Sequence, residues 1–362
     1  RGLWGGTFHS IGARVLRSNA EVVGYRPDFT ILDREDSEDL VKACVGAVAG
    51  EETAVHLPKP AVIADLLSRA CNERRPLAEV CARHHAGEPE VVEELERVAQ
   101  AYAGRKREAN VVDFDDLLSL WLALLEQDST VRERYQRRFQ WILVDEYQDT
   151  NRIQSDLVDL LAAEHRNLMA VGDDSQSIYS WRGANFRNIL EFPSRYPGAQ
   201  IYKIEVNYRS TPEILSVANA VIAGNTRQFA KQLTPARRAG MKPVVVPCED
   251  GHQQAAFVAQ RILELAEEGI SLREIAVLYR SHFHALELQL ELTRRGVPFQ
   301  ITSGIRFFEQ AHIKDVTAWL KLLANPADEL AFKRLVLLLP GIGPKAAEKL
   351  WLGFRRLRGD AA

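Results

Sequence analysis

The sequence predicts an α/β protein built on parallel sheets, and three observations predict it. Short apolar, β-branched runs alternate with amphipathic helical stretches over much of the chain, which is the alternation of strand–helix–strand units. The clearest runs are WILV (141–144), LMAV (168–171), 201–206 and IAVLY (275–279). All but 201–206, which carries Lys203 and Glu205, are apolar at successive positions, and each gives way at once to polar residues, as strands buried between helix layers do. A weaker run at 297–301 follows IAVLY through a helix over roughly 282–295 that Gly296 stops, so these three pieces make one βαβ unit.

Other segments carry a different pattern. Between about 19 and 107 no strand is expected; helical stretches are separated by Pro58, Pro60, Pro76 and Pro89, so this region reads as an all-helical insertion in the first α/β unit. Further on, Asn325-Pro326 breaks a helix, and LPGIGP (339–344) turns into another helical unit. LPGIGPKAAEKL (339–350) fits a helix–hairpin–helix turn whose glycine N–H groups take a DNA phosphate, and equally a plain Gly/Pro turn between helices.

At 362 residues and ~150 residues per domain, two or three folding units are expected. A hydrophobic content of 46% with 26% charged residues excludes disorder and coiled coil as whole-chain readings. Lys plus Arg number 46 against 49 Asp plus Glu, a net charge of −3, so any polyanion must be held by local contacts rather than by a basic coat. Four cysteines make no disulfide framework and point to a reducing, cytoplasmic setting. No apolar run approaches the ~18 residues that cross a bilayer, so no membrane partner is expected. The chain opens on Arg1 rather than methionine and reads as a fragment of a longer protein.

WILV runs directly into Asp145-Glu146-Tyr147-Gln148-Asp149. Ligands of open parallel sheets sit beyond the carboxyl ends of the strands. A carboxylate there suits Mg²⁺, a hard cation that shares its shell with water and phosphate oxygens, and an adjacent Glu146 suits orientation of an attacking water. The same string also fits a strand ending at a helix N-cap. A second strand end, Gly172-Asp173-Asp174-Ser175-Gln176, places a neutral amide where it can bond both a phosphate oxygen and a water. Tyr179, Trp181 and Arg182 follow in what should be a surface loop. Aromatic faces stack on unpaired bases and an Arg holds a phosphate; the alternative is that Tyr179 and Trp181 fill a core. In Asn207-Tyr208-Arg209-Ser210-Thr211-Pro212, Ser210 or Thr211 caps a helix that Pro212 opens. Arg209 suits an arginine finger and Tyr208 a stacking partner for a nucleobase.

VDEYQDTNRIQ (144–154), VGDDSQSIYSWRGA (171–184) and NYRSTPEIL (207–215) resemble, in order and spacing, the UvrD/Rep/PcrA-type superfamily 1 DNA helicases. GTFHSIGARVLR (6–17), DFDDLL (113–118), 275–304 and 307–328 are similar to the same family, so the resemblance spans essentially the whole chain. It implies an ATP-dependent motor of two RecA-like cores on single-stranded DNA and duplex junctions, with 3′ to 5′ polarity. The first core would be 1–18 with 108–205, its helical insertion 19–107, the second core 206–330, and the start of a second insertion 331–362. Carried over residue by residue, Asp145 would hold Mg²⁺ with Glu146 as the catalytic carboxylate. Gln176 would sense the terminal phosphate of ATP, Arg209 would reach it from the second core, and Tyr208 would stack on adenine. Thr7, Phe8, His9, Tyr179, Trp181 and Arg182 would line the DNA track. The family's phosphate-binding string, G-x-x-x-x-G-K-[ST], occurs nowhere in the sequence, so this polypeptide alone is expected not to hydrolyse ATP. Two competing functions remain, a non-catalytic single-strand-binding or scaffold protein and part of a helicase–nuclease subunit.

Two weaker patterns complete the reading. Cys71, Cys81, His84 and His85 are zinc-competent but not in a usual knuckle spacing, and buried thiols with surface imidazoles are expected instead. RERYQRRF (132–139) reads as a solvated charged helix face.

Overall fold

A computed structural model describes residues 3–48, 57–84, 89–180, 183–302 and 311–357. His85, Trp181 and Arg182 therefore lie outside the described residues. Two compact units are present, the first drawn from Arg1–Lys203, Asn225–Ala230 and Ala311–Ala362, the second from Ile204–Gly224 and Lys231–Gln310.

The first unit begins with helix α1 (Phe8–Arg17), whose apolar face closes on a long helix further along the chain. Strand β1 (Thr30–Ile31) leads into α2 (Arg34–Val48), α3 (Pro60–Glu73), α4 (Leu77–His84) and α5 (Pro89–Ala109). The chain then returns as β2 (Val111–Val112), parallel to β1. The helices α2–α5 bury Val41, Cys44, Ile63, Val80, Leu95 and Val98 among themselves. The all-helical reading of 19–107 is thus corrected by one two-residue strand, too short to leave a period-2 signature in the sequence.

DFDDLL opens α6 (Phe114–Gln127), capped by a reciprocal box between Asp113 and Asp116. Gly12 of α1 lies so close to α6 that a Cβ there would sit 2.7 Å from Leu117 O. That approach buries Val15, Leu16, Leu118, Trp121 and Leu125 in one cluster, at about 1.5–3 kcal/mol per large side chain. α7 (Ser129–Arg138) follows, then β3 (Ile142–Val144), α8 (Arg152–Ala162) and β4 (Leu168–Ala170), with β3 and β4 parallel and Leu143 opposite Met169. Short helices α9 (Arg187–Leu190) and α10 (Phe192–Arg195) close the run.

Both predicted strands are present, but burial on both faces is not: Leu143 is 72% exposed and Met169 58%. Only the face carrying Val144 is packed, against Tyr147 and Val158. The described residues supply no second layer over the other face.

The second unit carries β5 (Val206–Asn207), α11 (Pro212–Ile222), β6 (Thr234–Pro235), α12 (Gly251–Glu267) and α13 (His282–Arg294). β5 and β6 are parallel, so the expected strand at 201–206 shrinks to its last residue. The runs 275–279 and 297–301 carry no ladder among the described residues. Leu278 is 94% exposed: an apolar run becomes a strand only where a neighbour takes its N–H and C=O groups. Gly296, at φ +68, ends the helical segment as expected.

Helices α14 (Ala311–Ala324), α15 (Glu329–Leu337) and α16 (Pro344–Leu357) belong to the first unit. They dock through polar contacts. Lys314 pairs with Asp33 at 3.0 Å and with Glu35, and Lys321 with Asp36 at 2.7 Å. Asn325, fully buried, donates to Ala109 O at 2.9 Å and Asn110 O at 3.1 Å. The LPGIGP string is the α15–α16 turn, with Gly341 at φ +82.

Candidate active site

β3 ends at buried Val144, and Asp145 and Glu146 emerge exposed at its carboxyl end. Glu146 takes the left-handed conformation at φ +50, which a non-glycine residue adopts only at ~1–2 kcal/mol unless its surroundings enforce it. The enforcement is visible. Val171 N donates to Val144 O at 2.8 Å and Tyr147 N to Val171 O at 2.9 Å, so the ladder runs on past both strands. Tyr147 is fully buried, edge-on to Phe192. Glu146 N donates to its neighbour, Asp145 Oδ1, at 3.0 Å.

Gln148, 1% exposed, joins this turn to the end of β4. Its Nε2 donates to Glu146 Oε2 at 2.6 Å. Its Oε1 accepts from Asp173 N at 3.0 Å, 25 residues along the chain. Asp173 Oδ2 in turn accepts from Gln176 Nε2 at 2.8 Å. Glu146, Gln148, Asp173 and Gln176 therefore form one continuous hydrogen-bond chain, in which each amide orientation is dictated by the carboxylate it meets. Gly172 permits the approach: a Cβ there would meet Gln148 Oε1 and lie 2.7 Å from Ile189 Cδ1. Two of the residues singled out from sequence, Glu146 and Gln176, are thus brought together, with Asp145 beside them. Sequence reasoning passed over Gln148; its one signal is a polar amide two residues after an acid that ends a strand.

The residues near the first helix fall into different roles. Thr7 is the N-cap of α1, its Oγ1 accepting from Ser10 N at 3.2 Å. Phe8 is turned inward, packing against both the α1–α6 core and the Val144–Tyr147–Val158 cluster. His9 is half-buried, edge-on to Phe114 at 5.6 Å, and burial lowers its pKa, favouring the neutral imidazole. Tyr179 is 39% exposed.

Tyr208 and Arg209 belong to the second unit, where both are exposed. Asn207 Oδ1 accepts from Arg209 N at 2.9 Å and Ser210 N at 2.8 Å, a side-chain-made turn that presents them together. Thr211 holds the N-cap position of α11 without a side-chain cap bond, and Pro212 opens the helix.

Cys71 packs against the α1–α6 core, whereas Cys81 is inside the α2–α5 cluster, so the candidate zinc thiols serve different cores. Burial, chiefly, pushes the Cys71 thiol up to about 12.

The UvrD/REP helicase N-terminal domain matches residues 1–197, and the UvrD-like helicase C-terminal domain matches 202–356. The chain belongs to the UvrD/REP helicase family. It is 36% identical over 338 residues to the ATP-dependent DNA helicase PcrA of Leuconostoc citreum, covering 93% of this chain and 44% of that protein. PcrA of Staphylococcus aureus is 34% identical over 355 residues, covering 96% and 47%. UvrD1 of Mycobacterium bovis is 37% identical over 379, covering 100% and 48%. The chain thus spans under half the length of these relatives.

The family assignment accounts for an α/β chain with small parallel sheets. Among the described residues no helix is long and apolar enough to cross a membrane. Nor is any group of three or more His, Cys, Asp or Glu side chains assembled for a metal ion. The exposed Asp145–Glu146 pair fits an ion whose remaining ligands are water and phosphate oxygens, which is the habit of Mg²⁺ rather than of a protein-caged metal.

Proposed function

We propose that this chain is part of an ATP-dependent DNA helicase that translocates 3′ to 5′ on single-stranded DNA and acts at duplex junctions. The observation that carries the reading is the chain Glu146–Gln148–Asp173–Gln176, because it fixes a carboxylate and a neutral amide at neighbouring strand ends. Asp145 would hold Mg²⁺, which when bound neutralises charge on the phosphates. Glu146, oriented by Gln148, accepts a proton from a water at its carboxylate. Gln176, oriented by Asp173, reports the terminal phosphate. Arg209 is the finger supplied by a second RecA-like core and Tyr208 the stacking partner for adenine. Thr7, His9 and Tyr179, with Trp181 and Arg182, form the DNA track, and Phe8 holds Thr7 and His9 in place from inside. The domain limits expected from the sequence, and a cytoplasmic location, belong to the same reading.

The phosphate-binding string is missing from the sequence, so the chain by itself is expected to bind single-stranded DNA without turning over ATP. Two measurements test this: fluorescence anisotropy with labelled oligo-dT, and phosphate release in the presence of ATP, Mg²⁺ and oligo-dT. Saturable, salt-sensitive binding with no turnover is the expected result. Absence of oligo-dT binding would overturn the DNA-track reading, and robust phosphate release would overturn the inactive-fragment reading.

A further inference from the structure

We propose that Arg14 and Arg138, both laid on the Trp4 ring, form a phosphate clamp for the backbone of double-stranded DNA on the α1–α7 side of the first unit. This rests on the reading above that the chain acts at duplex junctions, and it adds where a duplex is held.

Trp4 is half-buried and stands edge-on to Phe139 at 5.2 Å and to Tyr135 at 6.4 Å. Tyr135 is buried and stacks on Phe139 at 5.7 Å, so the indole is fixed from inside. Arg14 of α1 places its guanidinium carbon 3.8 Å from the centre of the Trp4 ring, and Arg138 of α7 places its own at 4.6 Å. Both arginines are exposed, so two like charges from different helices share one indole. A third, Arg134, lies over Tyr135 at 5.4 Å and donates to Asn19 Oδ1, a neutral acceptor. Among the described residues no carboxylate pairs with any of the three, whereas Arg137 on the same helix pairs with Glu133 at 3.1 Å. The charged helix face at 132–139 is therefore not uniformly solvated; part of it is gathered on aromatic rings.

Like charges four residues apart on a helix repel, as do two guanidiniums on one ring, and an anion between them relieves both. Basic residues in the last turns of α1 and α7 complement the helix dipoles, but that does not require them to converge on a single indole. A guanidinium laid on an aromatic ring keeps its N–H edge free and is already ordered for bidentate contact with a phosphate. The indole is engaged by cations and Tyr135 is buried, so the surface offers N–H donors rather than a stacking face. Single strands are held by stacking as well as charge, whereas a duplex presents its densely spaced phosphates outermost. At about 100° per residue, Arg14 lies about 140° round α1 from His9, on a different side of the helix from that DNA-track residue.

The test is fluorescence anisotropy of this chain with a labelled blunt duplex and, in parallel, labelled oligo-dT, each across a range of salt concentrations. Each phosphate neutralised on a duplex contributes about 0.9 to the slope of log affinity against log salt. Arg14→Gln with Arg138→Gln is expected to lower the duplex slope by about 1–2 and to weaken duplex binding about tenfold or more at low salt, with the oligo-dT slope unchanged. Arg138→Gln alone, expected to lower the duplex slope by about 1, decides if the double variant does not fold. Arg14→Lys with Arg138→Lys keeps both charges and should retain the duplex slope, as should Arg137→Gln, which removes a charge already paired with Glu133. A duplex slope unchanged in the glutamine variants overturns the proposal, as does a change confined to oligo-dT or an equal change in Arg137→Gln. Wild-type binding of oligo-dT without binding of the duplex sinks this inference and leaves the DNA-track reading standing; binding of neither sinks both.

Discussion

Lys106→Met is expected to destabilise the first unit by about 3–5 kcal/mol at pH 8, the usual consequence of leaving buried charges without their partner. Lys106 reaches out of α5 and places its ammonium 2.6 Å from both Asp113 Oδ2 and Asp116 Oδ2. Tyr102 OH donates to the same Asp113 oxygen at 2.9 Å. Burial opposes charge on Lys106, but Asp116 and Asp113 outweigh it and hold the ammonium above its ordinary pKa. Burial, and then the Asp113 charge, hold Asp116 up at about 6 against an ordinary 3.8, even with Lys106 present. A carboxyl raised by folding contributes stability that is present below its unfolded value and lost as pH rises through its folded value. Methionine keeps the volume and removes the charge, so Asp113 loses the ammonium that holds its carboxyl below the usual range, Asp116 rises further, and the deficit against wild type grows from pH 5 to pH 8. Circular-dichroism melts at the two pH values read this directly. A Tm drop of roughly 6–20 °C is expected at pH 8, smaller at pH 5, and partly reversed by adding Asp116→Asn. A drop under about 2 °C at pH 8, or one equal at both pH values, would refute the assignment of Lys106 as the charge that holds this cap together.

Other perturbations address the site itself. Gln148→Leu strips Glu146 of a charge-assisted bond and orphans Asp173 N, which should cost about 2–4 kcal/mol in urea unfolding; an unchanged midpoint would remove Gln148 as the hub. Gly172→Ala must push aside Gln148 and Ile189, so a loss of about 1–3 kcal/mol is expected by the same measurement. Tyr179→Ala should weaken oligo-dT binding by roughly fivefold to a hundredfold, one stacked base's worth, and unchanged anisotropy would take Tyr179 off the DNA track.

The strand ends were legible because a short apolar run that gives way at once to polar and acidic residues marks a strand end, and both such runs became the β3–β4 pair. Helix ends were legible too, at Pro212 and Gly296, whereas the Asp113–Asp116 capping box was not read from the sequence. What escaped depends on partners far along the chain. Gln148 looks like a surface glutamine until Asp173 arrives 25 residues later to take its carbonyl. Phe8 looked like a DNA contact beside Thr7 and His9, although Phe8, Ile11, Val15 and Leu16 share the helical spacing of a core face. β1 is two residues long and offers no periodicity at all. The runs 275–279 and 297–301 have the apolar texture of strands but no bonded neighbour among the described residues, and texture alone cannot supply one.

The carboxylate turn does not depend on its sheet being covered. One face of β3–β4 is open, with Leu143 and Met169 exposed, yet Glu146 is held from the opposite side by Tyr147 in its pocket and by Gln148 across to Asp173. Those constraints are side-chain hydrogen bonds and local packing around Glu146. The missing element is different in kind: a backbone cradle and lysine for the triphosphate, which no residue here replaces in sequence. On the proposed reading, failure to turn over ATP would be a failure to hold the nucleotide, with Glu146 already held in its turn. The two causes separate experimentally, since a loss of nucleotide affinity leaves amide exchange at 145–151 as slow as elsewhere in the β3–β4 core, whereas a disordered carboxylate turn would exchange fast.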